Sequence, residues 1–342
     1  MAKEKETRSS FEEVMDSLNK TYGKGSVIEM NQKVEEEYDV VSTGSISFDN
    51  SLGIGGWLRG KLYELKGWEG TGKTTICGKA AAGFQKKYLD KKVVYIDGEH
   101  AIDKNYLATL GVDVDKLVIC QPDYGEMGYN VAEKLIASGE VSLVIIDSNT
   151  SLIPKKVVDG EAGDNALGLQ ARLNSQMWPK IKNKLIKGGT CVIAVNQFRE
   201  KIGVMFGSPV TTNGGHALKF YSDVIIEVSK TVDKEGMGNL TKIKVTKNKM
   251  APPFVEGSFF VEWGVGIDVI RELIDLGNEW GIIKKWGSQI TLLDNGAGGE
   301  TKYTLTEFEE LLRDNEEFYQ DLKTKILSKM KGETKEEKNG EV

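Results

Sequence analysis

Histidine and cysteine are rare in this sequence, which contains only two histidines and three cysteines. With only His100 and His216 in the whole chain, a histidine-based metal site is not expected. Cys77, Cys120 and Cys191 lie among apolar residues and outside any CxxC spacing. This pattern favours buried free thiols in a reducing compartment over a disulfide framework or a metal centre.

The chain also lacks an excess of positive charge and a long apolar run. Its 45 lysines and arginines against 51 acidic residues give a formal charge of −6, so no overall basic field attracts nucleic acid. Any contact with DNA must therefore be local. The N-terminal residues are charged and no apolar run approaches the length of a membrane span, so we expect neither a signal peptide nor a transmembrane helix. These features predict a cytoplasmic protein.

Short apolar runs alternate with helical segments from about residue 60 onwards. The runs at 93–96, 117–120, 143–146 and 191–195 are almost continuously apolar, which is typical of parallel strands buried on both faces. We therefore predict the α/β class, with a mostly parallel central sheet flanked by helices. The later, closely spaced runs from residue 224 onwards are expected to extend the sheet in antiparallel fashion.

The composition divides the 342 residues into four parts. Residues 1–35 predict a short N-terminal helix whose apolar stripe needs a partner surface, either its own core or a neighbouring subunit in an oligomer. Residues 36–267 form the main core, and residues 268–330 predict a small C-terminal α/β domain. Residues 331–342 are charged and lack apolar periodicity, so we expect them to be disordered.

Residues 67–74 match the phosphate-binding pattern G-x-x-x-x-G-K-[ST] in full. A predicted strand precedes the motif and a predicted helix follows it, a context that favours nucleotide binding over a chance glycine-rich turn. Lys73 would neutralise the β- and γ-phosphates, and the Thr74 hydroxyl would hold Mg²⁺. The predicted phosphate-site residues are Gly67, Trp68, Glu69, Gly70, Thr71, Gly72, Lys73, Thr74 and Thr75.

Two apolar strands end in acidic residues. The run at 143–146 leads to Asp147, which can sit beside Mg²⁺ at the carboxyl edge of the sheet, although many buried strands end in an aspartate that caps a helix. The run at 93–96 leads to Asp97 and Glu99. Hydrolysis needs a carboxylate that orients or deprotonates water, and Glu99 is the candidate. The alternative is that Asp97 and Glu99 cap the next helix.

Several segments together resemble the bacterial RecA recombinase family, and they cover nearly the whole chain. The most specific is the run from Lys201 to Tyr221, KIGVMFGSPVTTNGGHALKFY. Others are YGKGS at 22–26, VSTGS at 41–45, DGEHA at 97–101, QPD at 121–123, KNK at 247–249 and PF at 253–254.

The resemblance implies a P-loop NTPase core of the RecA type and a Mg²⁺-dependent, DNA-stimulated ATPase. It further implies a helical filament on single-stranded DNA that pairs the strand with a homologous duplex and exchanges strands in DNA repair and the SOS response. ATP and Mg²⁺ would be the cofactors, and both forms of DNA and further copies of the chain the partners. The resemblance leaves open whether a self-cleaving repressor is another partner.

The resemblance also implies catalytic roles. Glu99 matches the family's catalytic glutamate, which acts together with Lys73. Gln197 is similar to the residue that senses the γ-phosphate and signals to a DNA loop. Lys247 and Lys249 match lysines that reach across the subunit interface to a neighbour's ATP; without the resemblance they are alternate residues on a solvated strand face.

Further positions are implied to bind the nucleotide. Asp147 and Ser148 match the family's second nucleotide motif. Asp103 and Tyr106 match positions that contact the adenine, and Trp263 with Gly264 resembles the stretch that closes over the base.

Two glycine-rich segments, 159–168 and 198–215, resemble the family's DNA-binding loops. Neither is strongly basic, so backbone amides and hydroxyls would hold phosphates without reading bases. Leu167 and Ile202 match residues that wedge between base triplets; ordinary core packing is the alternative. The predicted DNA-binding residues are Leu167, Gly168, Arg172, Arg199, Ile202, Gly203, Val204, Phe206, Ser208, Thr211, Asn213, Gly214 and Gly215.

The chain departs from the family pattern at three places. Pro179 should kink the helix after the first loop, Trp68 is bulky for a phosphate loop, and the tail mixes lysines with glutamates. Two other functions therefore stay open. A hexameric helicase of the same fold would form closed rings, and a regulatory DNA-binding ATPase would hydrolyse little ATP. The intact acidic and phosphate motifs and the run from Lys201 to Tyr221 favour the recombinase.

Overall fold

A computed structural model describes residues 10–23, 26–27, 29, 38–161, 168–200, 210–212, 214–233, 236–293 and 299–336. The chain forms two compact units, residues 1–38 and residues 39–342. In the first unit, helix α1 spans Ser10–Tyr22, and the side-chain amide of Asn19 pairs with both backbone polar groups of Val27. The helix exposes Phe11 and Val14 on its surface.

The second unit alternates strands and helices. Its helices are α2 (Ile46–Ser51), α3 (Lys73–Lys87), α4 (Lys104–Thr109), α5 (Gly125–Ala137), α6 (Lys155–Val158), α7 (Leu169–Gly188), α8 (Ala217–Tyr221), α9 (Val269–Glu279), α10 (Leu305–Asp314) and α11 (Glu316–Glu336). Its strands are β1 (Val40–Val41), β2 (Trp57–Leu58), β3 (Leu62–Gly67), β4 (Lys92–Asp97), β5 (Leu117–Cys120), β6 (Val141–Asp147), β7 (Cys191–Glu200), β8 (Val210–Thr212), β9 (Val224–Val232), β10 (Gly238–Asn248), β11 (Glu256–Glu262), β12 (Gly266–Ile267), β13 (Ile283–Trp286), β14 (Gln289–Leu292) and β15 (Thr301–Thr304).

One large sheet organises this unit, with the strand order β12-β11-β10-β9-β3-β7-β6-β4-β5. The strands from β9 to β5 run parallel to one another. Strands β10, β11 and β12 then extend the sheet beyond β9 in antiparallel fashion. The predicted mostly parallel sheet is confirmed. Strand β9, which was predicted to be antiparallel, runs parallel to β3. The connection that contains α8 returns the chain to the amino-terminal end of β3 before β9 starts, so the antiparallel extension begins at β10.

Apolar side chains cover both faces of the sheet. One cluster includes Tyr63, Phe84 and Ile145, and the other includes Ile146 and Trp178. Consecutive residues of β6 therefore belong to opposite clusters, as the alternation of side chains along a strand requires. Burial of each large apolar side chain stabilises the fold by about 1.5–3 kcal/mol.

Helix α7 continues through Pro179 and ends at Gly188. A proline in a helix interior removes one backbone hydrogen bond, yet the neighbouring Trp178 is fully buried, and its packing on the sheet offsets part of that cost. The described residues include no helix with the length and apolarity that crossing a membrane requires.

The C-terminal residues of this unit have a sheet and a core of their own. Strands β13, β14 and β15 form an antiparallel sheet, and α9, α10 and α11 pack with it around a cluster that includes Leu273, Phe308 and Ile326. Ile46 of α2 also joins this cluster. Disorder was predicted from residue 331, but α11 continues to Glu336, because lysine and glutamate are good helix formers. Residues 337–342 lie outside the described residues.

A buried carboxylate connects α9 to the start of α2. Glu272 accepts hydrogen bonds from the Ser45 hydroxyl at 2.5 Å and from the backbone N–H groups of Ile46 and Ser47 at 3.1 and 2.9 Å. Burial raises the pKa of Glu272 to about 7, against the opposing effect of these donors.

We expect the stability contribution of Glu272 to depend on pH. Its pKa is raised in the folded protein, so the folded state binds the proton more tightly than the unfolded chain does. The contribution is therefore fully present below the ordinary pKa of 4.5 and is lost as pH rises through about 7. The free energy of unfolding of the wild type, relative to Glu272→Gln, should fall between about pH 5 and about pH 8. Denaturant titrations measure this difference, with Glu310→Gln, an exposed position on α10, as the control; a pH-independent difference for Glu272→Gln contradicts the expectation.

Candidate nucleotide and DNA site

The predicted site residues meet at the carboxyl edge of the parallel strands. In the pairing of β3 with β7, Gly67 lies opposite Gln197. In the pairing of β4 with β6, Asp97 lies opposite Asp147. Because parallel strands end at the same edge, the phosphate-binding motif, both acidic strand ends and the start of the second predicted DNA loop are neighbours there.

The phosphate-binding motif forms the turn between β3 and α3. Gly72 is the N-cap of α3 with φ of 92°, a left-handed conformation that glycine adopts without a steric cost. The first backbone N–H groups of α3 are thereby free to bind an anion. Lys73 donates hydrogen bonds to the carbonyl oxygens of Trp68 at 2.6 Å and Gly67 at 3.3 Å, and burial lowers its pKa.

A cavity of about 500 Å³ opens over this turn. It is lined by twelve of the residues predicted to bind or hydrolyse a nucleotide, and by four others. The predicted residues are Glu69, Gly70, Gly72, Lys73, Thr74, Thr75, Glu99, Tyr106, Asp147, Gln197 and Trp263 together with Gly264, and the others are Lys230, Asn239, Val261 and Glu262.

Asp147 and Thr74 face each other across this cavity. The Thr74 hydroxyl lies 3.4 Å from Asp147 Oδ2, which also accepts a hydrogen bond from the Tyr95 hydroxyl at 2.7 Å. Burial, with a further contribution from the nearby Glu99 charge, raises the pKa of Asp147 to about 6 against the opposing effects of Tyr95 and Lys73. A cation beside Asp147 would favour its charged form.

Glu99 lies beside Gln197 at the mouth of the cavity. The Gln197 side-chain amide donates to Glu99 Oε1 at 2.8 Å, and the Ser151 hydroxyl lies 3.4 Å from the same oxygen. Asp97, in contrast, accepts from the backbone N–H groups of Ala101 and Ile102 and from Gln121. Asp97 therefore stabilises the loop before α4, whereas the hydrogen bonds of Glu99 within the described residues involve only one of its carboxylate oxygens.

Several predicted nucleotide-binding residues do not line the cavity. The Trp68 ring is partly exposed and contacts the Phe198 ring edge-on at 5.8 Å. Thr71 is buried and donates to the Trp68 carbonyl. Ser148 is buried and bonds to Ser151. Gly67 precedes the lining residues at the end of β3.

Asp103 caps helix α4 and does not line the cavity. Its carboxylate accepts hydrogen bonds from the backbone N–H groups of Asn105 and Tyr106 at 2.8 and 3.2 Å. Tyr106 does line the cavity, and its hydroxyl lies 2.7 Å from the Thr75 hydroxyl. The adenine contact of Asp103 therefore stays a prediction, while Tyr106 is in position to meet a ligand.

Four lining residues come from β9, β10 and β11 and were not predicted. Lys230 extends over the turn, so that a Cβ on Gly70 would lie 2.9 Å from its Nζ. Asn239 Oδ1 is buried and has no hydrogen-bond partner within the described part of the chain. Both residues follow the ordinary alternation of a strand, so the sequence carries no local signal that they reach the cavity.

Lys247 and Lys249 lie away from the cavity of their own chain. Lys247 Nζ donates to the carbonyl oxygens of Lys219 and Phe220 at the end of α8. Lys249 is half exposed and forms an ion pair with Asp223 at 3.6 Å. Neither lines the cavity, an arrangement compatible with the prediction that they act on a neighbour's nucleotide.

The two predicted DNA loops begin or end beside this edge. Gly168 is the N-cap of α7, and Arg172 lies in the first turn of that helix. Strand β7 continues to Glu200, beyond the predicted loop start at Phe198, and its end pairs with β8, so that Arg199 lies opposite Thr211. Gly214 and Gly215 follow this hairpin. Leu167, Ile202, Gly203, Val204, Phe206, Ser208 and Asn213 lie outside the described residues.

Comparison with known proteins identifies the family of the chain. The family described as RecA N-terminal domain matches residues 9–268. The chain belongs to the RecA family. A relative named Protein RecA from Porphyromonas gingivalis is 45% identical over 317 residues, which cover 91% of each chain. Another of that name from Cytophaga hutchinsonii is 44% identical over 321 residues, covering 92% of this chain and 89% of the relative.

A third family member, from Kineococcus radiotolerans, is 43% identical over 325 residues, covering 94% of this chain and 92% of the relative. The similarity therefore extends past the N-terminal family match into the C-terminal sheet and helices.

We expect Lys73→Met to weaken the binding of Mg²⁺-ATP at least about tenfold, because charge-assisted hydrogen bonds to phosphate are lost. Isothermal titration calorimetry measures the affinity. Lys116→Met is the matched control, since Lys116 is exposed and forms an ion pair with Asp113, three residues earlier in the chain. Equal affinity in Lys73→Met and the control would contradict the assignment of the cavity as the phosphate site.

Proposed function

We propose that the protein is an ATP-dependent homologous recombinase. It forms filaments on single-stranded DNA, pairs that strand with a homologous duplex and exchanges strands, and single-stranded DNA stimulates its ATP hydrolysis. The observation that carries this proposal is the hydrogen bond between Gln197 and Glu99. It joins the candidate hydrolytic carboxylate to the strand that leads directly into the second DNA loop.

The cavity supports ATP as the ligand. The N-terminus of α3 and Lys73 supply donors for phosphates, and Tyr106 and Trp263 offer aromatic surfaces for a base. The buried Asn239 Oδ1 provides an acceptor for which the described residues offer no donor. Lys73 then exchanges the carbonyl oxygens of Trp68 and Gly67 for phosphate oxygens.

The donor set also fits Mg²⁺. The Thr74 hydroxyl and the Asp147 carboxylate are the oxygen ligands that this ion prefers. Within the described residues, no group of three or more His, Cys, Asp or Glu side chains is placed to hold a metal. Two protein oxygens suffice for Mg²⁺ that arrives with a nucleotide, because phosphates and waters complete its coordination. When bound, Mg²⁺ neutralises charge on the phosphates.

Hydrolysis is assigned to the Glu99 carboxylate, which orients the attacking water and accepts its proton. In the arrangement described here, Gln197 occupies one oxygen of Glu99. A γ-phosphate competes for the Gln197 amide, which releases Glu99 and shifts the start of the second loop. ATP binding and DNA binding thereby favour the same conformation, as linkage requires.

DNA binding is assigned to the two loops beside this edge. Arg172 and Arg199 supply positive charge, and Thr211, Gly214 and Gly215 supply hydroxyl and backbone donors for phosphates. Contacts of this kind do not read bases, so that Watson–Crick pairing itself tests homology. The loop residues outside the described part of the chain keep their predicted roles.

The remaining segments have proposed roles in assembly. We assign residues 1–35 to contacts between subunits, residues 36–267 to the ATPase core and residues 268–330 to a small domain. Lys247 and Lys249 complete a neighbouring subunit's ATP site. The alternatives of a ring-forming helicase or a weakly active regulatory ATPase differ from this proposal in assembly and in turnover.

We expect single-stranded DNA to stimulate ATP hydrolysis by the wild type strongly. Glu99→Gln should lower turnover at least about 100-fold, because the general base is lost, while still binding DNA when ATP is present. Steady-state hydrolysis and fluorescence anisotropy with labelled single-stranded DNA measure both properties. Electron microscopy of the same samples should show open helical filaments. Closed rings would favour the helicase, and hydrolysis indifferent to DNA would favour the regulatory ATPase.

We expect Lys249→Ala and Glu99→Gln to restore activity to each other when mixed. The rate of ATP hydrolysis by each variant alone should be about 100-fold below that of the wild type. In a random equal mixture, about one quarter of the sites combine an intact Glu99 with an intact Lys249 from the adjacent copy. Hydrolysis should therefore recover to about a quarter of the wild-type rate.

The control for this mixture is Lys73→Met with Glu99→Gln, two changes in the same half of the site, which should not restore activity. A Lys249→Ala mixture that stays as inactive as this control would contradict a role for Lys249 between subunits.

A further inference from the structure

Four polar or aromatic side chains form a buried cluster behind the site. Tyr129 of α5, Asn149 after β6, and Asn174 and Trp178 of α7 are all fully buried. We call them the buried polar cluster. Polar groups in such a position are costly unless their hydrogen bonds are satisfied, so the geometry of this cluster constrains the elements that carry it.

The Tyr129 hydroxyl sits between two acceptors. It lies 2.6 Å from Asn149 Oδ1 and 2.5 Å from Asn174 Oδ1. Trp178 Nε1 donates to Asn149 Oδ1 at 3.3 Å, which identifies that atom as an acceptor. A hydroxyl has one proton, so Tyr129 donates fully to only one amide oxygen at a time. The cluster therefore has two alternative hydrogen-bonding arrangements.

Each of the two amides belongs to a different part of the candidate site. Asn149 follows Asp147 by two residues, and its backbone N–H donates to Val195 O at 2.8 Å, two residues before Gln197. The Asn174 side chain donates to Gly214 O at 2.8 Å, at the end of the second predicted loop. The Tyr129 hydroxyl thus stands between the nucleotide edge and the returning end of a DNA loop.

One donor of the cluster lacks a partner in the described residues. Asn149 Nδ2 is buried and unpaired there. A Cβ on Gly214 would lie 3.2 Å from this atom and 2.1 Å from Asn174 Nδ2, and Gly214 has φ of 87°. The backbone at Gly214 therefore packs against both amides at a distance that only glycine permits. The unpaired donor therefore lies close to the backbone of Gly214.

We propose that the buried polar cluster positions the second loop and couples DNA binding to the nucleotide edge. In one arrangement Tyr129 donates to Asn174, which holds Gly214. In the other arrangement, Asn149 Nδ2 donates a hydrogen bond to a backbone carbonyl oxygen of the second loop, and the Tyr129 hydroxyl donates to Asn149 Oδ1. DNA bound to the loop stabilises the second arrangement. The change reaches Gln197 through the hydrogen bond between the Asn149 N–H and the Val195 carbonyl oxygen, which lies two residues before Gln197. These are positioning residues, and the inference rests on the proposed function.

Tyr129→Phe tests the inference, because it removes only the hydroxyl and keeps the ring that contacts Trp178 edge-on at 5.5 Å. We expect hydrolysis without DNA to be unchanged and the stimulation by single-stranded DNA to fall about three- to tenfold. The matched control is Tyr63→Phe. Tyr63 is also fully buried and its hydroxyl also has a hydrogen bond, from the Leu58 N–H at 2.8 Å, but it belongs to the cluster on the opposite face of the sheet.

A general loss of stability would affect both tyrosine variants, and thermal unfolding of each measures it. Stimulation that is wild-type in Tyr129→Phe, or equally reduced in Tyr63→Phe, overturns the inference. Asn174→Leu provides a second measurement. If the hydroxyl acts through Asn174, the double variant should lose no more stimulation than Asn174→Leu alone, and additive losses would contradict this route. A wild type that DNA does not stimulate would instead refute the proposed function.

Discussion

The shared direction of the strands from β9 to β5 is the constraint on which the site depends. In a parallel sheet every strand ends at the same edge, so residues far apart in sequence meet there without a dedicated domain interface. The register places Gly67 opposite Gln197 and Asp97 opposite Asp147. A shift of one residue in either pairing would turn these side chains towards the opposite face of the sheet.

The same edge concentrates acidic groups near a phosphate-binding turn. Burial and the nearby Glu99 charge raise the pKa of Asp147, and Lys73 only partly offsets this rise. Such a site gains from a nucleotide that brings Mg²⁺, because the added cation balances the carboxylates while Lys73 turns to the phosphates. The electrostatics and the hydrogen bond from Gln197 to Glu99 therefore make the edge responsive to its ligand.

Local patterns predicted the parts of the site that lie in short segments. The phosphate-binding motif, Glu99 and Asp147 each follow an apolar strand, and the α/β class follows from those strands. Lys230 and Asn239 were missed because they reach the cavity only through the long-range pairing of β9 with β10 and β3. Local patterns also missed the side-chain geometry of Trp68, which lies against Phe198 outside the cavity.

The buried polar cluster shows the same limit. Tyr129, Asn149 and Asn174 have no distinctive pattern in the sequence, since asparagine is mostly exposed in proteins and tyrosine is of intermediate burial. These side chains meet only because α5 and α7 pack against the same face of the sheet. Chain position alone does not reveal which polar residues that packing buries together.

The most direct test of this account is the position of the Gln197 amide in a filament bound to single-stranded DNA, Mg²⁺ and a non-hydrolysable ATP analogue, measured by electron cryomicroscopy. The account predicts that Gln197 Nε2 has left Glu99 Oε1, its partner at 2.8 Å in the arrangement described here, and lies within hydrogen-bond distance of the γ-phosphate. If Gln197 still donates to Glu99 with both ligands bound, the proposed coupling between ATP and DNA is wrong.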